Sequence, residues 1–204
     1  MAKERIIMEK IYPNRQQALE ALQEHVKKES LIRHALAVES VMLHFAELFR
    51  EEDKEKWGII GLVHDIDYEM YPDQHCKKVR GILEARGWPE EYIHSIESHG
   101  WKLCTDVEPV EKLEKVLYAI DELTGLIAAT ALVRPSKSIL DLNSKSVLKK
   151  WKQKEFAVGV NRSVIEEGAT MLGMELSAVI DETIQGMRKV ADEIGLRGEL
   201  QSPS

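Results

Sequence analysis

The chain has 204 residues, and its 28 lysine and arginine residues against 35 aspartate and glutamate residues give a formal net charge of −7. A composition that is 44% hydrophobic and 31% charged excludes an intrinsically disordered chain, and the length predicts one domain with room for an appendage. The low content of aromatic residues, glycine and proline disfavours a β-sandwich or barrel, and the acidic charge disfavours a protein that binds nucleic-acid polymers.

Apolar residues recur at spacings of three and four along most of the chain, which is the pattern of amphipathic helices. These stripes cover residues 31–48, 57–63, 79–83, 93–96, 113–128 and 176–191. Gly87 is placed to stop the third helix, Pro109 to open the fifth and Gly195 to cap the last. No segment alternates apolar and polar residues between turn dipeptides as a strand would. We therefore expect an all-α fold of about eight to ten helices.

The N-terminal residues are charged throughout and lack the apolar core of a signal peptide, and no stretch is long and apolar enough to cross a membrane. We therefore expect a cytoplasmic protein that does not associate with membranes. Cys76 and Cys104 lie far apart in the sequence and outside any Cys-x-x-Cys motif. They predict two ordinary reduced thiols rather than a zinc knuckle or a disulfide framework.

Residues 133–154 form a basic segment in an otherwise acidic chain, with seven basic residues and the single acid Asp141. The charge of this segment is +6, which leaves −13 on the rest of the chain. Pro135 and the serines around it predict a loop between helices. The segment is either a solvated basic surface or a set of residues that contact an anion.

Four histidines and two aspartates stand at the inner edges of separate predicted helices. They are His34, His64, Asp65, His75, His99 and Asp121. A buried aspartate in an apolar helix, as Asp121 is, is unfavourable unless it is hydrogen-bonded, paired or bound to a metal. Imidazole and carboxylate groups suit divalent metals, and helical bundles build such sites from facing helices. The pattern indicates a metal centre, and we expect no thiolate among its ligands.

A histidine, an adjacent His-Asp pair and a later aspartate, each on a different helix, form an ordered set that resembles the HD-domain metal-dependent phosphohydrolase superfamily. The matching residues here are His34, His64, Asp65 and Asp121. The resemblance implies an HD-domain-like helical bundle with additional C-terminal helices. The chain then divides into an N-terminal helical extension (1–30), a metal-binding core (31–132), a basic loop with C-terminal helices packed on the core (133–197), and a disordered tail (198–204).

Members of this superfamily with a dinuclear centre, such as the diadenosine tetraphosphate hydrolases, carry two more histidines before the last aspartate. His75 and His99 occupy that part of this chain. The resemblance implies that His34, His64, Asp65 and Asp121 hold one divalent ion. His75 and His99 would hold a second ion, with Asp65 bridging the two. The metal is left open among Fe, Mn, Mg, Ni, Co and Zn.

The function implied is a metal-dependent phosphohydrolase that cleaves a phosphoester of a nucleotide or another small phosphorylated metabolite with a metal-activated water. Asp65, as the bridging ligand, is the expected catalytic residue. Cations of the basic segment are expected to contact the substrate phosphate, namely Arg134, Lys137, Lys145 and Lys149. Asp67 or Glu69 either assists protonation of the leaving group or is an ordinary acid that supports a ligand or lies at the surface.

Two other functions remain open from the sequence. An HD-type di-iron oxygenase would use the same histidine and carboxylate ligands, and a nucleotide-sensing regulatory module would bind its ligand without cleaving it. The apolar stripe at residues 176–191 belongs to the core or includes a dimer surface, so a homodimer is open as well.

Overall fold

A computed structural model describes residues 11–199, which fold into nine α-helices and one 3-10 turn with no β-strand among them. The prediction of an all-α fold is confirmed. The helices are α1 (Arg15–His25), α2 (Glu29–Leu48), α3 (Lys54–Val63), α4 (Val79–Glu84), α5 (Glu90–Ser98), α6 (Lys112–Leu132), α7 (Ser144–Trp151), α8 (Arg162–Met171) and α9 (Leu176–Arg188), with the 3-10 turn at Pro72–Gln74.

Side-chain caps explain where several of the helices begin. Asn14, Asp53 and Asn143 each accept a hydrogen bond from the backbone N–H three residues later, at the starts of α1, α3 and α7. Two of these helices, α1 and α7, have no counterpart among the predicted apolar stripes because each buries only a few apolar residues. Their positions depend on caps and on packing against the longer helices.

The two longest helices, α2 and α6, form the centre of the bundle. Helix α2 packs against α3, α6 and α9, and α6 packs also against α8. Both helices bury apolar residues along most of their length, so their relative position is fixed by the core. Helices α3 and α5 run into this centre and end there. Their last turns therefore deliver whatever follows them to the α2–α6 contact.

The chain ends outside the core pack closely where they are described. Helix α1, in the predicted N-terminal extension, packs against α3. The backbone N–H of Glu199 donates to the carbonyl of Ser136 at 2.9 Å, so the start of the predicted tail is held against the loop before α7. Residues 1–10 and 200–204 lie outside the described residues. Helix α9 ends at Arg188, and Gly195, with φ +70°, closes the turn that follows it.

No helix between residues 11 and 199 has the length and apolar character needed to cross a membrane.

Helices α6 and α8 approach each other closely because residue 168 is a glycine. A Cβ atom on Gly168 would lie 2.5 Å from the Cβ and 2.6 Å from the Cα of Ala119. The obstructing atoms belong to the backbone of a buried helix, so they cannot move aside as a flexible side chain would. Gly81, on the exposed side of α4, has no atom within 4 Å of a Cβ placed there.

We predict that Gly168→Ala lowers the free energy of unfolding by about 2 kcal/mol, because the added methyl overpacks the α6–α8 contact. Gly81→Ala should raise it by about 0.5–1 kcal/mol, since alanine favours a helix over glycine. Urea unfolding followed by circular dichroism measures both. Equal changes for the two variants would contradict the close approach of α6 and α8.

Candidate metal centre

The six residues singled out in the sequence meet at the centre of the bundle. Helix α2 supplies His34, the end of α3 supplies His64 and Asp65, the segment after the 3-10 turn supplies His75, the end of α5 supplies His99, and α6 supplies Asp121. Their ring nitrogens and carboxylate oxygens form two groups, each able to hold a metal ion.

The first group consists of His34, His64 and Asp121. The Nε2 atoms of His34 and His64 are 3.2 Å apart, and they lie 3.0 Å and 3.2 Å from Oδ1 of Asp121. Ligands bound about 2.1 Å from one ion are separated by about 3.0–3.4 Å, depending on the angle between them. The three atoms are therefore spaced as ligands of a single ion are.

The second group consists of Asp65, His75 and His99. The Nε2 atoms of His75 and His99 are 3.2 Å apart, and Oδ1 of Asp65 lies 3.4 Å and 3.6 Å from them. The other carboxylate oxygen, Oδ2, lies 3.5 Å from Nε2 of His64 and 3.8 Å from Nε2 of His34. One oxygen of Asp65 thus faces each group, which is the arrangement of a bridging carboxylate.

The hydrogen bonds behind the rings set which nitrogen of each histidine carries the proton. Nδ1 of His64 donates to the carbonyl of Gly61 at 2.8 Å, and Nδ1 of His99 donates to the carbonyl of Ile96. Each neutral ring then presents an unprotonated Nε2 to the cluster, which is the tautomer that binds metals. Both carbonyls lie in the last turn of the helix before the histidine, so each helix end orients its own ring.

The two other histidines are oriented by side chains. Nδ1 of His75 donates to Oδ1 of Asp67 at 2.9 Å, and Nδ1 of His34 lies 3.3 Å from Oγ1 of Thr124. The Thr124 hydroxyl donates its own proton to the carbonyl of Asp121, so it accepts from His34. All four Nε2 lone pairs therefore face the cluster. Sequence reasoning gave Thr124 no role, although it lies one turn after Asp121 on the same face of α6.

The charges of the cluster shift its pKa values. Burial opposes protonation of His64, but the carboxylates of Asp65 and Asp121 outweigh it and raise the pKa above its ordinary 6.5. Burial also opposes ionisation of Asp121, but His64 and His34 hold its pKa well below the ordinary 3.8. Burial likewise opposes the charged forms of His75, His99 and Asp65. Hydrogen bonds and charges of neighbouring groups nevertheless raise the pKa of the two histidines and lower the pKa of Asp65. The carboxylates are charged, and they favour a cation beside them.

The family model for the HD domain matches residues 31–155, which is more than half of the chain. The chain belongs to the HD domain family. Proteins of this family are in general metal-dependent phosphohydrolases and bind divalent metals. The match begins at the first residue of the predicted core and runs beyond residue 132 into the basic segment. No curated protein and no solved structure matches the chain significantly.

Asp67 and Glu69, the two acids considered as proton donors, make other contacts in the structure. Asp67 is fully buried, and its carboxylate holds Nδ1 of His75 and the backbone N–H of Lys78. Glu69 accepts hydrogen bonds from the backbone N–H groups of Lys27 and Lys28, at the start of α2. Asp67 therefore orients a histidine of the cluster, and Glu69 holds the backbone just before α2. Neither is among the residues that line the cavity at the cluster.

The structure does not bring the four predicted phosphate contacts to the cluster. Arg134 forms an ion pair with Asp141 at 2.8 Å and contacts Ser146, while the other three are exposed; these are Lys137, Lys145 and Lys149. Beyond helix α6, the chain returns to the cavity only after the basic segment, at residues 157–160, and this stretch contains no lysine or arginine. The net charge of the basic segment predicts an anion contact, but the ion pair with Asp141 holds Arg134 away from the cluster.

Two adjoining cavities open onto the cluster. One, of about 500 Å³, is lined by ligand-type residues of both groups together with Tyr68 and Glu122. Burial, with the nearby Asp121 charge, raises the pKa of Glu122. The other, of about 430 Å³, lies between α2, α6 and the segment after α9, and shares His34 and Gly125 with the first. A larger cavity, of about 920 Å³, lies elsewhere, around His94.

Both cysteines are free thiols, but they lie beside the second group, whereas the sequence predicted no cysteine near the ligands. The Sγ atoms of Cys76 and Cys104 are 2.9 Å apart, and Sγ of Cys76 is 3.7 Å from Nε2 of His99. The hydrogen bond between the sulfurs raises the pKa of Cys76 and lowers that of Cys104 to about 6. Cys104 is therefore the more acidic thiol of the pair.

We predict that the melting temperature of the chelator-treated protein falls by about 3 °C or more between about pH 6 and pH 9. The histidine charges that stabilise the cluster are fully present below pH 6.5 and are lost as pH rises through the raised pKa values. The aspartate contribution is present above pH 3.8 and is lost only in acid. Saturating Mn²⁺ should abolish the alkaline fall, because ions then replace protons between the same atoms. A chelator-treated melting temperature that stays flat or rises would contradict this account.

Proposed function

We propose that this chain is a phosphohydrolase that cleaves the ester of a small organic phosphate at a dinuclear centre. The observation that carries the proposal is that four Nε2 atoms and two carboxylates face one another across 3.0–3.8 Å. Lone pairs at such distances repel one another unless a proton or a metal ion lies between them. The arrangement is stable when divalent ions occupy both groups.

The proposed ligands of one ion are His34, His64, Asp121 and Oδ2 of Asp65. Those of the other would be His75, His99 and Oδ1 of Asp65, and all three residues line the 500 Å³ cavity. Bound divalent ions would supply a nucleophile by lowering the pKa of a water, and would offset the negative charge that grows on the phosphate oxygens.

The protein residues hold this centre in one geometry. Asp65 fixes the separation of the two groups because its two oxygens belong to one rigid carboxylate. Asp67 and Thr124 hold the rings of His75 and His34 from behind. Such supporting residues raise the basicity of a ligand and fix its orientation. His64 and His99 are almost fully buried, so solvent reaches the centre from the cavity side.

We predict that His64→Ala abolishes metal binding in the first group and lowers phosphate release by more than about 100-fold, the upper effect of losing a residue behind a ligand. The matched control is His94→Ala. His94 also pairs with a carboxylate, Glu114 at 2.8 Å, but lies outside the cluster. Metal content by mass spectrometry, phosphate release from a panel of phosphate esters, and circular dichroism measure the outcome.

Retained turnover by metal-depleted His64→Ala with intact helices would contradict the assignment. So would oxygen consumption by the wild type without phosphate release from any ester, since that result would favour oxygenase chemistry at the same ligands.

The 430 Å³ cavity is the proposed place for the organic part of the substrate. Its wall is mainly apolar, and the lining residues include Ala37, Ala128, Leu132, Met187, Ile194 and Leu196. Arg33 lies at this cavity and pairs with Glu29. Because the cavity shares His34 with the cluster, a phosphate at the ions would place its ester group within reach of these apolar residues.

Gly125 lies at the junction of the two cavities, one turn after Asp121 on α6. A Cβ atom there would have no atom within 4 Å, so packing does not require a glycine. A glycine inside a helix costs about 1 kcal/mol relative to alanine. Its use in the middle of this 21-residue helix is explained by the space it leaves between the cavities.

We predict that Gly125→Leu raises KM about tenfold or more for naphthyl phosphate while leaving that for methyl phosphate nearly unchanged, because the new side chain closes the passage between the two cavities and only the larger ester has to occupy both. Gly81→Leu is the control, since Gly81 is equally open but lies on α4. Steady-state kinetics with both esters measures the effect. An equal loss for both esters would place the organic group elsewhere.

A further inference from the structure

The thiols of Cys76 and Cys104 are a pair for which the proposed hydrolysis has no use. Cys76 is buried, with 1% of its surface exposed, and Cys104 lines the 500 Å³ cavity. Their sulfur atoms are in direct contact at 2.9 Å. Two thiols in contact, one of them at a cavity that solvent reaches, form a chemical group of their own.

The backbone around each cysteine holds its sulfur in place. The carbonyl of Gly100 accepts hydrogen bonds from the backbone N–H groups of Leu103, Cys104 and Thr105, which closes a tight loop. On the other side, Cys76 has φ +64°, a left-handed conformation that is unfavourable for a residue with a side chain. The pair is therefore positioned by two fixed loops and does not depend on a chance rotamer.

Gly100 leaves room for the two sulfurs. A Cβ atom at residue 100 would lie 2.3 Å from Sγ of Cys104 and 2.6 Å from Sγ of Cys76. The sulfurs thus pack on the backbone directly after His99. Cys76 in turn directly follows His75. Cys76 is thus one residue from His75, and Cys104 lies against Gly100, the residue after His99.

We propose that Cys76 and Cys104 form an oxidation site, at which a peroxide converts the two thiols into an intramolecular disulfide and thereby weakens metal binding by the second group. The oxidation itself is independent of the proposed function, and only its effect on metal binding rests on that function. The reagent class is a peroxide, which reaches Cys104 through the cavity.

The reaction balances with one hydrogen peroxide for each pair. The sulfur of Cys104 attacks one peroxide oxygen, the O–O bond breaks, and the products are a sulfenic acid and one water. The sulfur of Cys76 then attacks the sulfur of Cys104, which forms the S–S bond and releases the second water. Both sulfurs are oxidised, both peroxide oxygens are reduced to water, and the two thiol protons end in the water. A dithiol such as dithiothreitol reverses the step by exchange.

The coupling to the metal group follows from chain connectivity. Bond formation draws the sulfurs from 2.9 Å to a covalent distance of about 2.0 Å. The backbone of Cys76 carries His75 with it, and Sγ of Cys76 already lies 3.7 Å from Nε2 of His99. A displacement of this size is large for a metal centre, where ligand positions are held to a few tenths of an ångström.

The test uses the full chain treated with one equivalent of hydrogen peroxide. Thiol titration should fall from two thiols to none, and intact mass should fall by two hydrogens, with residues 76 and 104 joined in a peptide map. Dithiothreitol should restore both thiols. Cys104→Ser and Cys76→Ser are the controls, and neither should form the intramolecular link.

Binding of Mn²⁺ should weaken by about tenfold or more in the oxidised wild type, and peroxide should not change it in Cys104→Ser. Thiols that persist in folded protein, or only intermolecular links, overturn the oxidation site. A disulfide with unchanged Mn²⁺ affinity overturns the coupling. If neither the reduced nor the oxidised protein binds Mn²⁺ or any other divalent ion, the proposed function fails, while the thiol count still decides the oxidation site.

Discussion

Four imidazole lone pairs and two carboxylates face one another inside the bundle, and the mutual repulsion of these groups has to be overcome for the fold to persist. Protons or divalent ions between them supply the compensating charge. The raised histidine pKa values and the lowered aspartate pKa values are the protonic form of this compensation. The same atoms, with the protons removed, are the ligands of the proposed dinuclear centre.

The apolar packing of the helices holds these groups close together in spite of their repulsion. Helices α2 and α6 are fixed by burial along most of their length, so His34 and Asp121 cannot move apart without breaking the core. Helices α3 and α5 end at the cluster, and the carbonyls of their last turns hold the rings of His64 and His99. The packing energy of apolar side chains thus maintains an unfavourable electrostatic arrangement, which is the usual origin of a preorganised metal site.

Much of this could be predicted from the sequence because it depends on local periodicity. The apolar stripes identify α2, α3, α6 and α9, and they place His34 and Asp121 on inward faces. The family resemblance then supplies the order in which helices contribute ligands. The stripes do not predict α1 or α7, since these helices are fixed by caps and by packing on neighbours.

Contacts between distant residues could not be predicted from spacing. Cys76 and Cys104 come together because two loops return to the end of α5, and nothing in the intervening sequence indicates that return. Thr124 accepts a hydrogen bond from the ring of His34, although the two residues are 90 positions apart in the sequence. The basic segment shows the opposite case. Its net charge predicted an anion contact, but Asp141, the acid within the segment, holds Arg134 by an ion pair.

The charge of the proposed centre explains why lysine and arginine are not needed at the cavity wall. Among the described residues that line the 500 Å³ cavity, none is a lysine or arginine. Two ionised carboxylates, Asp65 and Asp121, beside two divalent ions and four neutral imidazoles leave a net charge of about +2 in a partly buried site. A phosphate monoester dianion carries about −2 and neutralises that charge. An added lysine or arginine would leave the complex positive and would repel the ions. In the proposed centre, the small number of carboxylates would favour a dianionic substrate, and the mainly apolar neighbouring cavity would suit a substrate whose remaining part is uncharged.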